Sequence, residues 1–145
     1  MSGELSRTSS GGFVFTRPGT PLTPAQTDML LQHINNELER TADLVTEARK
    51  RLAAAQEAYK KAEAKLLLSP SCPRVGRGEG SVSAAERDAW LLDRLSAEWT
   101  AQHEAQVLLD IATDGVWKVK DQLSLVQSLN NNAQGAAGGY RGGGR

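Results

Sequence analysis

The feature that most constrains how this chain folds is a seven-residue repeat between Thr23 and Ser69. Large side chains recur as Leu31, Leu38, Val45, Leu52, Tyr59 and Leu66, and smaller ones interleave as Ile34, Thr41, Ala48, Ala55 and Ala62. Apolar residues at that spacing form one continuous seam along a helix, and such a seam has to be buried against another helix. Where the interleaved row shrinks to alanine, a partner backbone can approach closely while the bulky row interlocks beside it.

The ends of this helix are written locally. Thr23 is placed as an N-cap, Pro24 takes the first helical position where its missing N–H costs nothing, and Gln26 completes a T-x-x-Q capping box. No glycine or proline then interrupts until Ser69-Pro70, where proline pushes the preceding residue out of the helical region. A helix over 24–68 follows, spanning roughly 65 to 70 Å at about 1.5 Å per residue.

A loop over 69–83 holds Pro70, Pro73, Gly76, Gly78 and Gly80, which mark turns. It lacks the GK[ST] of a phosphate loop and no strand precedes it. Ser83 and Glu86 then form an S-x-x-E start signal for a second helix over 84–130, ended by Asn130, Asn131 and Asn132. Its seam reads Leu91, Leu95, Gln102, Ala105, Leu109, Ala112, Val116, Val119, Leu123 and Val126. Gly115 lies inside it and suggests a kink or a close helix approach.

Two helices of nearly equal length joined by a shorter loop predict an all-α fold, a long antiparallel two-helix coiled-coil hairpin over 23–130. Trp90, Trp99, Trp117, Leu92, Leu108 and Ile111 fall off the second seam, and Trp99 and Trp117, eighteen residues apart, share a face after five turns. That second apolar face predicts oligomerisation into a helical bundle, a homo-oligomer in the simplest case, or a protein partner.

The flanking segments are of another kind. Residues 1–22 carry glycine, proline, serine and threonine and read as a disordered arm, with Phe13-Val14-Phe15 alternating as a short strand or a sticky segment would. They hold no apolar run of signal-peptide length, so a cytoplasmic location is expected, and no stretch suits a membrane span. Residues 131–145 form a Gly/Arg-rich tail expected to be disordered. In it, Tyr140, Arg141 and Arg145 resemble segments that hold single strands through Arg charge and Tyr stacking, which makes single-stranded nucleic acid a candidate partner.

Seventeen basic residues balance seventeen acidic ones, so net charge argues for no partner. Its distribution is uneven: residues 83–130 carry four basic and eight acidic side chains, while 1–22, 69–82 and the tail are each net positive. The run Arg49-Lys50-Arg51 reads as a solvated face or, more sharply, as a phosphate-contacting patch. The sole cysteine, Cys72, excludes an intrachain disulfide and fits a reducing compartment.

Nothing in the chain reads as catalytic. His33 and His103 lie on separate helices without His or Cys neighbours at ligand spacing, and Glu37 and Glu39 point about 200° apart. Cys72 sits between turn residues with no histidine near it in sequence. The expectation is no enzyme, no cofactor and no metal site.

Three segments carry a resemblance: Tyr59-Lys60-Lys61-Ala62-Glu63-Ala64, Val82-Ser83-Ala84-Ala85-Glu86-Arg87-Asp88-Ala89, and Lys120-Asp121-Gln122-Leu123-Ser124-Leu125-Val126-Gln127-Ser128-Leu129. Over roughly residues 55–130 the chain resembles a group of small helical bacteriophage proteins encoded in replication and recombination regions. This chain departs from them in its longer Pro-containing loop and its Gly/Arg tail. The resemblance implies a non-enzymatic phage accessory protein of DNA replication or recombination in the host cytoplasm, acting as a helical oligomer on a protein partner or single-stranded DNA. A structural or assembly protein of the phage particle, a virion component or scaffold-like adaptor, is the alternative.

Overall fold

The computed structural model describes residues 5–7, 13–15 and 23–139, with side chains from 23 to 132. Helices carry the fold: α1 (Pro24–Leu67), α2 (Ala84–Arg94) and α3 (Ser96–Gly139). Two three-residue strands precede them. β1 (Leu5–Arg7) pairs antiparallel with β2 (Phe13–Phe15), Leu5 opposite Phe15 and Arg7 opposite Phe13. The alternating Phe13-Val14-Phe15 is therefore a strand, inside the segment expected to be disordered.

Both start signals form as the side-chain chemistry requires. At α1, Thr23 N–H donates to Gln26 Oε1 (3.0 Å) and Gln26 N–H to Thr23 Oγ1 (3.2 Å), so two orphan donors of the first turn are satisfied reciprocally. At α2, Ser83 N–H donates to Glu86 Oε2 (2.7 Å) and Glu86 N–H to Ser83 Oγ (3.2 Å). The bond from the Ser83 backbone, joined by the bond to its hydroxyl, holds the Glu86 carboxyl below the usual glutamate range. α1 closes one residue before the expected end, Ser69 N–H turning back to Leu66 O (3.1 Å) ahead of Pro70. The loop that follows is tied by backbone bonds from Val82 N–H to Arg74 O (2.9 Å) and Gly76 N–H to Val82 O (3.3 Å), with Gly80 in the left-handed region at φ 78°.

The expected second helix over 84–130 is two helices, and the second of them runs further. Leu95 leaves helical geometry at φ −101°, ψ 15°, although Leu95 N–H still reaches Leu91 O (2.9 Å) and Trp99 N–H reaches Leu95 O (2.8 Å). No glycine or proline marks this break. Leu95 is also 1% exposed, so the break lies at a core position. At the other end α3 continues past Asn130, Asn131 and Asn132 to Gly139. Asparagine keeps its N–H and ranks only moderately below alanine in a helix, so three of them lower propensity without stopping propagation.

The chain divides into two compact units, Met1–Ala42 with Asp114–Arg145, and Asp43–Thr113. In the first, Leu30, Ile34, Val119 and Val126 form the core, with Leu31, Leu38 and Leu123 packed against it. Ile34 is almost fully buried, and burying such a side chain contributes about 1.5–3 kcal/mol. Thr41 is buried too and satisfies its hydroxyl by donating to Leu38 O (2.9 Å). In the second unit the buried positions are Ala48, Leu91, Leu95 and Ala105.

The rows of the heptad thus swap importance. Ile34, Thr41 and Ala48 are buried, while Ala55 and Ala62 of the same row are half-buried, as are Leu31, Leu38, Val45, Leu52, Tyr59 and Leu66. Gly115 makes no close approach: a Cβ built there meets nothing within 4 Å, and α3 runs through it unbroken. Gly115→Ala is therefore expected to raise stability by about 0.5–1 kcal/mol in urea denaturation.

Glu86 sets a pH dependence. Its folded pKa is depressed, so its contribution is present above the unfolded value of about 4.3 and lost as pH falls through the folded value. Glu86→Gln is expected to be less stable than wild type near pH 7, the gap closing below about pH 4 in denaturation midpoints.

Candidate interaction site

The second unit presents two surfaces that its core does not use. The first is the outward face of α2 and the start of α3. Trp99, His103, Val107 and Ile111 follow one another at steps of four along α3, and the Trp99 and His103 rings stack at 5.2 Å, 6° from parallel. Trp99, Val107, Leu108 and Ile111 are exposed, as is Leu92 on α2, Ile111 at 62%. This face is acidic. From Ser96 to Thr113 there is no lysine or arginine, and Glu104 and Asp110 lie among the apolar side chains. Asp110 Oδ1 accepts from Gln106 Nε2 at 2.9 Å.

The second surface is a cleft of about 380 Å³ whose apolar lining is Ala58, Ala62, Leu66 and Leu95. Its rim carries Lys61, Lys65, Arg94 and Glu98, three cations against one carboxylate. Lys61 Nζ donates to Glu57 Oε1 at 2.7 Å, which holds the Glu57 carboxyl below and the Lys61 ammonium above their ordinary ranges. Both partners stand in water, so this pair adds little stability and is readily exchanged. Arg94 lies over the Trp90 ring at 4.3 Å from its centroid, within cation–π range.

In the first unit Trp117, Leu125 and Leu129 are exposed, and Lys120 Nζ sits 5.0 Å from the Trp117 ring centroid. Of the three tryptophans expected to face outward, Trp99 and Trp117 do so, whereas Trp90 is half-buried beneath Arg94. The seam residues Leu109, Val116 and Leu123 are half-buried. Tyr140, Arg141 and Arg145, the expected nucleic-acid contacts, lie outside the described residues. The sequence alone does not show the cleft. Lys61 and Arg94 are thirty-three positions apart, and only the i, i+4 spacing of Lys61 and Lys65 hinted that they share a face.

Among the described residues no three His, Cys, Asp or Glu side chains gather as a metal site would need, and no helix is long and apolar enough to cross a membrane. No family model, curated protein or solved structure matches this chain significantly.

The outward tryptophan is an immediate reporter of this geometry. A chain keeping Trp99 alone (Trp90→Phe, Trp117→Phe) is expected to be quenched by acrylamide more strongly, when dilute, than one keeping Trp90 alone. Trp99→Ala should shift the urea stability by less than about 1 kcal/mol, as a half-exposed side chain does.

Proposed function

We propose that this chain is a non-enzymatic accessory protein that works by association: a helical oligomer that binds a protein partner or single-stranded DNA. In this reading α1 pairs antiparallel with α2 and α3 as one hairpin, and the setting implied by the resemblance is bacteriophage DNA replication or recombination. The observation that carries the proposal is the exposed row of Leu92, Trp99, Val107, Leu108 and Ile111. Side chains of this size kept in water along one stretch of the chain mark an interaction surface, because covering them removes apolar area at about 25 cal/mol per Å².

A second reading, a structural or assembly component of a phage particle, is favoured by the two helices of 44 residues each. Long uninterrupted helices suit a part that spaces other components. Mass spectrometry of purified particles separates the two: presence in virions supports the structural reading, and absence from particles and assembly intermediates excludes it.

Light scattering of the full chain is expected to give at least a dimer at high micromolar concentration, and a compact monomer there contradicts the association reading. In gel shifts, single-stranded DNA retarded at low salt and released as salt rises supports the nucleic-acid arm. Absence of retardation at low salt leaves the protein partner alone.

A further inference from the structure

The cleft and the outward face of the second unit are complementary, and we propose that they bind each other between copies: the α3 face of one chain docks into the α1–α2 cleft of the next. This deepens the proposed function and rests on its association reading, naming a second copy as the occupant. Charge and apolar character match on the two sides. The cleft is lined by Ala62, Leu66 and Leu95 together with the cations Lys61, Lys65 and Arg94. The α3 face offers Trp99, Val107 and Ile111 beside Glu104 and Asp110, with no lysine or arginine between Ser96 and Thr113.

The groups are poised for exchange. Lys65 has no carboxylate within ion-pair distance among the described residues, and the Lys61 partner Glu57 is itself in water. Carboxylates brought onto that rim by an apolar contact are partly desolvated, which strengthens their attraction to the ammonium groups relative to open solvent.

The two surfaces cannot meet within one chain. Glu98 lines the cleft and Val107 the outward face, nine residues apart on one helix, which at about 100° per residue places them on opposite sides. An interface made of two different patches is heterologous. It does not close at two copies, and the products are rings or open chains.

The test uses the full chain in sedimentation velocity across concentration and salt, with helicity checked by circular dichroism. Wild type is expected to grow beyond a dimer as concentration rises and to dissociate as salt screens the charges. Lys61→Glu/Lys65→Glu and, separately, Glu104→Lys/Asp110→Lys are each expected to weaken assembly at least about tenfold. Mixing the two variants, or combining all four substitutions in one chain, is expected to restore assembly because the reversed charges again oppose each other. That restoration also rules out misfolding as the cause of the loss.

Wild type that associates while the cleft variant associates equally well overturns this inference and leaves the association reading standing. So does loss in both variants without restoration on mixing, or growth that stops at a dimer. Wild type that stays monomeric at high micromolar concentration overturns both.

Discussion

The structure depends on burying one narrow row of α1. Thr27, Leu30, Ile34, Thr41 and Ala48 are its buried positions, aliphatic at the centre of the row and small or hydroxyl-bearing to either side. In the first unit the answering residues are Val119 and Val126 of α3. Thr41 enters this row without a buried unpaired donor because its hydroxyl turns back to Leu38 O. Such a core is thin, consistent with a chain only 39% hydrophobic, much of it alanine. It leaves each helix with an outward face whose chemistry is free to serve something else.

What α3 does with that freedom is the functional question. Its outward side keeps tryptophan and aliphatic side chains in water, and over its first part acidic groups but no basic ones accompany them. A solvated helix face ordinarily interleaves both signs and few large apolar groups. Three cations, Lys61, Lys65 and Arg94, line the cleft, on the last turns of α1 and the end of α2. The chain is neutral as a whole and polarised in its parts, and polarisation of this kind selects partners and their orientation more than it adds raw affinity.

How much of this was legible in the sequence follows from what each feature depends on. The two capping boxes and the stop at Ser69-Pro70 are local chemistry, and Thr23, Gln26, Ser83 and Glu86 bond as their spacing implies. The second seam was legible because periodicity is also local; none of Leu91, Leu95, Ala105, Val119 or Val126 is exposed. The break at Leu95 was not, since no glycine or proline stands there to mark it. The asparagines do not stop α3, because the propensity loss they bring is mild. The cleft was invisible because it joins residues from different helices, a juxtaposition that no spacing rule encodes.

The central claim is that the α1 row meets α3 of the same chain, which frees the opposite face for partners. A double-mutant cycle on Ile34→Ala and Val126→Ala, in urea denaturation at a concentration low enough to keep the chain dissociated, tests it most directly. Residues packed in one core relax into each other's cavities, so the account predicts a coupling of about 0.5–3 kcal/mol between the two substitutions. Losses that add to within about 0.3–0.5 kcal/mol would contradict it.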